Sequence, residues 1–389
     1  MERASTKEAT AKKPRLPAIE YIRGISMMGV IGIHIGAEYL KNPTPNVHLL
    51  ALFEIFTRFS VPIFFFISAF GLFYNLSDEK KFDYLDFLKR RGRAVLVPYV
   101  VWSLFYLALG KFVYGAAFPD AGGLFYTLFF GLAKYQLYFL VILLWFYLLM
   151  PLWIFLLRRM DTKLLSFLFL IQIAFNYFSS YSSELFLYVI GLPEGSFWRS
   201  LLEYRLNYFV GHYFFIFLLG GYLARRIDDF KSWIKNNRGF VFAAYFLSLI
   251  FMLSYYYHVL SVGYTPTEAI FTVHQLCPLG VIYTVTASVF WFTLFSFPVY
   301  SPKINPLLAF LGKHSYFAYL AHPFFIGYGA EFLANAGKIM TAPVAVSFYL
   351  SVLTLSLLAA LIFRRLGNLF PPINILTIGV YPKISANKK

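Results

Sequence analysis

Residues 20–40 read EYIRGISMMGVIGIHIGAEYL. As a helix rising about 1.5 Å per residue, such a run is about 30 Å long, the thickness of a bilayer's hydrocarbon core. Ionisable groups within it are costly in lipid and therefore informative. Arg23 lies at one end, Glu38 near the other, and His34 falls eleven residues after Arg23. That separation is about 16 Å along the axis, which puts His34 near the middle of a membrane. Eleven residues is also close to three full turns, so Arg23 and His34 share one helix face. Gly24, Gly29, Gly32 and Gly36 are interspersed and let a neighbouring helix or a ligand come close. The plain alternative is a buried His hydrogen-bonded between helices. The aligned Arg and His on a glycine-rich face point instead to a polar channel opening toward the cytoplasm.

The rest of the chain fits a membrane exterior. Of 389 residues, 59% are hydrophobic, 21% aromatic and 13% charged. A soluble chain carries about 25% charged residues, so this composition cannot coat a water-facing surface. The net charge of +16 does not indicate nucleic acid, because the basic residues form short clusters between apolar runs. The single Cys277 excludes an intrachain disulfide framework. No small-residue cleavage site follows the first apolar run, so it reads as a retained helix. Apolar runs at 20–40, 52–74, 94–114, 137–157, 164–182, 206–223, 240–260, 275–297, 312–335 and 344–363 predict an all-α polytopic bundle of about ten transmembrane helices. Residues 124–133 are too short to cross, and 183–205, with Glu184, Glu194, Arg199 and Glu203, read as an extramembrane loop.

Charge sets the orientation. With the N-terminus inside, the inner segments hold 27 of the 34 Lys and Arg residues, and inversion would reverse that bias in every loop. The expectation is therefore N-in and C-in. It comprises a basic segment 1–19, a transmembrane domain 20–366 and a short tail 367–389. Asn75-Leu76-Ser77 matches a glycosylation sequon, but on the cytoplasmic side by this topology it is a chance match.

Other polar groups mark the apolar runs. Glu54 and Arg58 form an i,i+4 pair near the outer end of the second span, which suits either an interfacial salt bridge or a functional role. Pro62 should kink that span, and Ser68 can bond a freed carbonyl. Arg90 and Arg93, one turn apart at the inner surface, suit phosphate recognition by guanidinium forks or topology anchoring. Gln136 and Tyr138 are candidates for the interfacial belt. Tyr319 and His322, followed by Pro323, fall near the middle of the ninth span, and His212 in the outer half of the sixth. His48, His258, His274 and His314 fall in loops or at span ends. No His pair has helix-borne zinc spacing, no carboxylate cluster suits a hard metal, and no phosphate-cradling glycine loop is present.

Taken together these elements resemble the acyltransferase-3 family of bacterial membrane proteins, which O-acylate sugars and other cell-envelope molecules. The resemblance runs over nearly the whole chain. It is carried by Arg23 with ten residues before His34, Val61-Pro-Ile-Phe-Phe-Phe-Ile-Ser68, Arg90-x-x-Arg93 leading to Pro98-Tyr99, Phe215-Ile-Phe-Leu-Leu-Gly220, and Leu311-Gly-Lys-His-Ser-Tyr316 through Tyr319-Leu-Ala-His322-Pro323. Arg58 before the second element resembles the branch that modifies enterobacterial common antigen and biofilm polysaccharides. Two departures stand out: Ala69 replaces a usual Gly, and Gln136-Leu-Tyr138-Phe-Leu140 replaces a His/Leu-Trp-Phe-Leu element. Some members carry a fused extracytoplasmic esterase-like domain, and none is expected here.

The resemblance implies an acyl-CoA donor, most often acetyl-CoA, used as substrate rather than as a resident cofactor. It implies Arg90, Arg93 and Arg23 as donor contacts and His34 as base or transient acyl acceptor, with Glu54 or Glu38 orienting the ring. Arg58, Tyr319, His322 and Gln136 become candidates for acceptor binding or oxyanion stabilisation. Expected partners are membrane lipid, acyl-CoA and a cell-envelope glycan or glycolipid, with an extracytoplasmic protein as a further recipient of the acyl group. Nucleic acid and metal are not expected, and the expected location is the bacterial inner membrane. An exporter of polysaccharide or lipid-linked sugar is the competing class, against which no internal repeat is evident; a sensor or scaffold is the third.

Overall fold

Every regular element among the described residues is helical. The computed structural model describes residues 13–42, 45–76, 82–298 and 300–380. Most of the basic segment 1–19, Ser77 of the sequon and the tail beyond 380 therefore lie outside the described residues. In chain order the principal helices are α1 (Pro17–Tyr39), α2 (Val47–Thr57), α3 (Pro62–Tyr74), α4 (Tyr84–Arg91), α5 (Val97–Tyr114), α6 (Ala121–Phe130), α7 (Tyr138–Leu148), α8 (Met150–Arg159) and α9 (Thr162–Tyr181). They continue with α10 (Phe214–Arg225), α11 (Arg238–Ser261), α12 (Pro278–Ser296), α13 (Asn305–Asn335), α14 (Ala342–Leu369) and α15 (Pro371–Ile378).

Among the described residues, seven helices are long and apolar enough to cross a membrane, or eight if α7 and α8 form one bent span. The chain is thus a multi-pass membrane protein. Two runs expected to span are different in kind. The run at 206–223 yields only the 12-residue α10. The run at 312–335 lies inside the 31-residue α13, whose Lys313, His314, His322 and Glu331 dilute its apolar character.

Glycine sets how closely the central helices approach. α1 packs most extensively against α13, and a Cβ on Gly24 would lie 2.9 Å from the backbone nitrogen of Gly312. A Cβ on Gly312 would in turn collide with the carbonyl of Glu20. Further along α1, Gly29 faces Ser60, Gly32 faces Phe53 and Gly36 faces Leu50 and Glu54. The glycine stripe therefore seats α1 against α13 at one end and against α2 at the other. Because backbone cannot yield as a flexible side chain can, Gly312→Ala is expected to cost about 1–3 kcal/mol of stability. A thermal melt in detergent reads this directly, and an unchanged midpoint would contradict so tight a contact.

Broken helices are tolerated in a membrane only where other groups satisfy the freed backbone. Between α7 and α8 the axis turns by 64°. Pro151 supplies no donor there, and the carbonyls of Phe146 and Leu148 instead accept from the Trp153 indole (3.0 Å) and the Tyr84 hydroxyl (2.6 Å). Ahead of α10 the chain is irregular, with a 3₁₀ turn at Val210–His212. Gln172 on α9 donates to Gly211 O and accepts from Phe215 N, while Asn176 donates to His212 O. Two amides on α9 thus stand in for the missing helical turns, and a short helix can start inside the protein. The break expected at Pro62 is a 3₁₀ turn at Arg58–Ser60, within a segment that still runs from Val47 to Tyr74.

Residues 183–205, expected as a loop, form the short helices Ser183–Gly191 and Phe197–Glu203 and the start of Arg205–Tyr208. The Ser182 and Ser196 side chains cap the first two. The first of these helices shows large apolar groups such as Phe186 and Leu187 on its outside. The described part of the expected tail is ordered too. α15 folds back onto α5, where the Trp102 indole donates to Thr377 O at 3.1 Å.

Candidate functional site

His34 faces a cavity of about 90 Å³ enclosed by α1, α3, α7, α13 and the segments between them. Arg58, Gln136, Tyr138, Gln275 and Tyr319 contribute its polar surface, and Val30, Val61, Phe64 and Phe139 its apolar walls. The space suits a few waters or a short acyl group beside one hydroxyl. The His34 ring lies 4.3 Å from the Tyr135 ring and 5.3 Å from that of His322, stacked on the latter at 18°. His322 is fully buried.

A single set of hydrogen bonds ties this chamber to α13. The Tyr319 hydroxyl donates to the backbone carbonyl of Gln136, so the segment before α7 is clamped to α13. The Gln136 amide reaches back to Leu320 O at 3.5 Å. Its own Oε1 is buried and has no partner among the described residues. An unmet acceptor at the wall of a cavity is a place where a ligand's hydroxyl gains a hydrogen bond.

Glu54 and Arg58 form a buried ion pair at 2.9 Å. The guanidinium also donates to Ile270 O at 2.7 Å, and its Nε has no partner among the described residues. Glu54 thus turns its carboxylate to Arg58, and through Arg58 it bears on the chamber. Glu38, the other candidate for orienting His34, pairs with Lys41 at 2.7 Å near the surface.

The arginines nearer the start of the spans are arranged unevenly. Arg90 is exposed and ion-paired with Asp86 one turn earlier. Arg93 is exposed in a π turn at Gly92–Leu96, an arrangement often found at functional sites. Between them, Arg91 turns inward over the rings of Phe87 (5.7 Å) and Tyr147 (5.6 Å). Arg23 is half-buried, with Tyr147, Glu20 and Arg91 as its charged or polar neighbours. Arg23, Arg91 and Tyr147 therefore gather at one place, while Arg90 turns to Asp86.

Three contributors were not singled out from sequence. Tyr135 reads as one more interfacial tyrosine, Gln275 as a loop amide and Arg91 as part of a basic run; no local pattern separates them from their neighbours. A second polar group lies beside the chamber and shares Gln275 with it. There His212 and Thr284 line a small cavity of about 20 Å³ together with Gln172 and Asn176. His274, expected to need no explanation, stacks on Tyr181 at 5.7 Å and accepts from Leu276 N. A further cavity, about 150 Å³, lies between α1, α2 and α14 and is lined by apolar groups with Tyr39 and Tyr349.

Comparison with known proteins agrees with the family suggested by the motifs. The YfiQ protein of Bacillus subtilis (strain 168), named provisionally as a membrane-bound acyltransferase, is 26% identical over 346 residues. That alignment covers 85% of this chain and 86% of the relative. No solved structure matches. The model of the acyltransferase-3 family, described as an acyltransferase domain, matches residues 16–365, a stretch that includes every residue of the His34 chamber, and the chain belongs to that family.

Proposed function

We propose that the protein moves an acyl group, acetyl in the simplest case, from cytoplasmic acyl-CoA to a hydroxyl of a cell-envelope sugar at the inner membrane, with both termini inside. The observation that supports this most directly is His34, stacked on the buried His322 and facing a chamber that Arg58, Gln136 and Tyr319 also line, in a membrane acyltransferase family. An ester transfer needs a group that handles a proton, donors for a developing oxyanion and exclusion of water. Histidine, arginine and tyrosine around a small buried cavity are suited to these tasks.

In this scheme the donor's phosphates rest on the inner arginines, and its thioester reaches His34. The pantetheine arm spans about 15–20 Å, comparable with the ~16 Å rise from Arg23 to His34 along α1. His34 meets the thioester as base or as transient acyl acceptor. The acceptor enters from the side of Arg58, Gln136 and Gln275. Purified protein given labelled acetyl-CoA and a glycan acceptor is expected to move the label; an exporter without chemistry would leave it on CoA.

The arginines should separate by depth. Arg91→Ala is expected to raise the acetyl-CoA KM by about tenfold, the worth of one charge-assisted contact, with the acceptor KM unchanged. Arg90→Ala with Arg93→Ala should raise it less, because Arg90 already has Asp86 for a partner in solvent. Donor KM values equal to that of the parent in all variants would reduce these residues to setting topology.

A further inference from the structure

Pro323 lies inside α13 and has no N–H, so the carbonyl four residues earlier, that of Tyr319, has lost its helical donor. His322 supplies the replacement, with Nδ1 2.7 Å from Tyr319 O. A carbonyl oxygen only accepts, so Nδ1 carries the hydrogen, and Nε2 of the neutral ring is then a bare lone pair. The next carbonyl, that of Leu320, is held by the Tyr106 hydroxyl at 2.6 Å and the Gln136 amide. The proline's disturbance is thereby confined to one orphan acceptor, and that acceptor is His322's. Nε2 is buried and has no partner among the described residues, and its ring stacks on His34. As an oxyanion donor Nε2 would need a hydrogen it does not hold.

We propose that Pro323 fixes His322 as the Nδ1–H tautomer and that its free Nε2 takes the proton of the acceptor hydroxyl. This rests on the acyltransferase function proposed above and divides the labour of the two rings, leaving His34 to the donor side. In the transfer step the acceptor oxygen bonds to the acyl carbon and the carbon–sulfur bond of the thioester breaks. The hydroxyl proton passes to His322 Nε2, and the resulting imidazolium returns it to the departing thiolate. The products are the ester and the CoA thiol, and the ring is neutral again. Pro323 is a positioning residue in this account, acting only through His322.

The test uses the full-length protein in detergent with ¹⁵N-labelled histidine, assigned by loss of the His322 signal in His322→Asn. The expected spectrum places the proton of His322 on Nδ1. His322→Asn keeps an N–H for Tyr319 O but offers no base, so it should retain the melting midpoint and the acetyl-CoA KM while kcat falls by at least about 100-fold. Pro323→Ala returns a backbone donor to Tyr319 O, and kcat should fall in proportion to the Nδ1–H population lost. A His322 protonated on Nε2, or a His322→Asn variant within about threefold of the parent kcat, overturns the proposal. If the parent transfers and His322→Asn transfers equally well, only the base assignment falls. If the parent transfers nothing, the acyltransferase function falls with it.

Discussion

Replacing His34 with alanine is expected to abolish acyl transfer in a protein that still inserts, purifies and melts as the parent does. The ring is packed against Tyr135 at a tilt and stacked on His322, ring contacts rather than a network that would collapse without it. Such ring pairs are worth about 0.5–1.5 kcal/mol each, too little to unfold a bundle of this size. The cavity is already present, so a smaller side chain enlarges an existing space and strands no buried partner. The chemical loss is far larger. On the donor side, a group that holds the thioester in line or carries its acyl group is worth about 10²-fold or more. Transfer from labelled acetyl-CoA and the detergent melt should be measured on the same preparation. Residual transfer within about tenfold of the parent would remove His34 from the reaction. If the two rings act as a unit, His34→Ala combined with His322→Asn will cost no more than the worse single change, since the effects of residues in one constellation are not additive.

Most of the helices were legible in the chain because lipid leaves the sequence little freedom. α1, α9, α11, α12 and α14 follow from continuous apolar runs, and no tertiary contact was needed to find them. α10 and the bend between α7 and α8 were not legible. Their broken backbones survive only because Gln172, Asn176, Tyr84 and Trp153, distant in sequence or ambiguous in type, supply the missing hydrogen bonds. The site divides the same way. His34, Arg58, Tyr319 and His322 announce themselves because polar groups within apolar runs are expensive. The structure brings all four to one place. Arg91 and Tyr135 gain meaning only from where the π turn and the segment before α7 point them. A sequence that places Arg90 and Arg93 one turn apart carries no sign that the residue between them faces inward.

The second large effect concerns stability. Glu54→Ala is expected to destabilise the protein by about 3–5 kcal/mol, because it leaves the Arg58 guanidinium buried without its counter-charge. Only one carbonyl contact, to Ile270, remains to it, and its Nε has no partner even in the parent. Both side chains are nearly out of bulk solvent, at 7% and 10% exposed, so only the few waters the chamber can hold could stand in for the carboxylate. Glu54→Gln should fall between, since an amide oxygen accepts the hydrogen bond without supplying the charge. The decisive variant removes both partners. Apolar residues of similar size often replace a buried pair without loss, so Glu54→Leu with Arg58→Met should recover most of the melting midpoint. It should not recover transfer, because Arg58 also lines the chamber beside His34. A double variant that is stable and fully active would assign the pair to holding α2 and α3 in place and would end the acceptor-side role of Arg58. A Glu54→Ala protein as stable as the parent would mean that water reaches the guanidinium. The chamber would then be open on its Arg58 side, and an ester formed there would be exposed to hydrolysis.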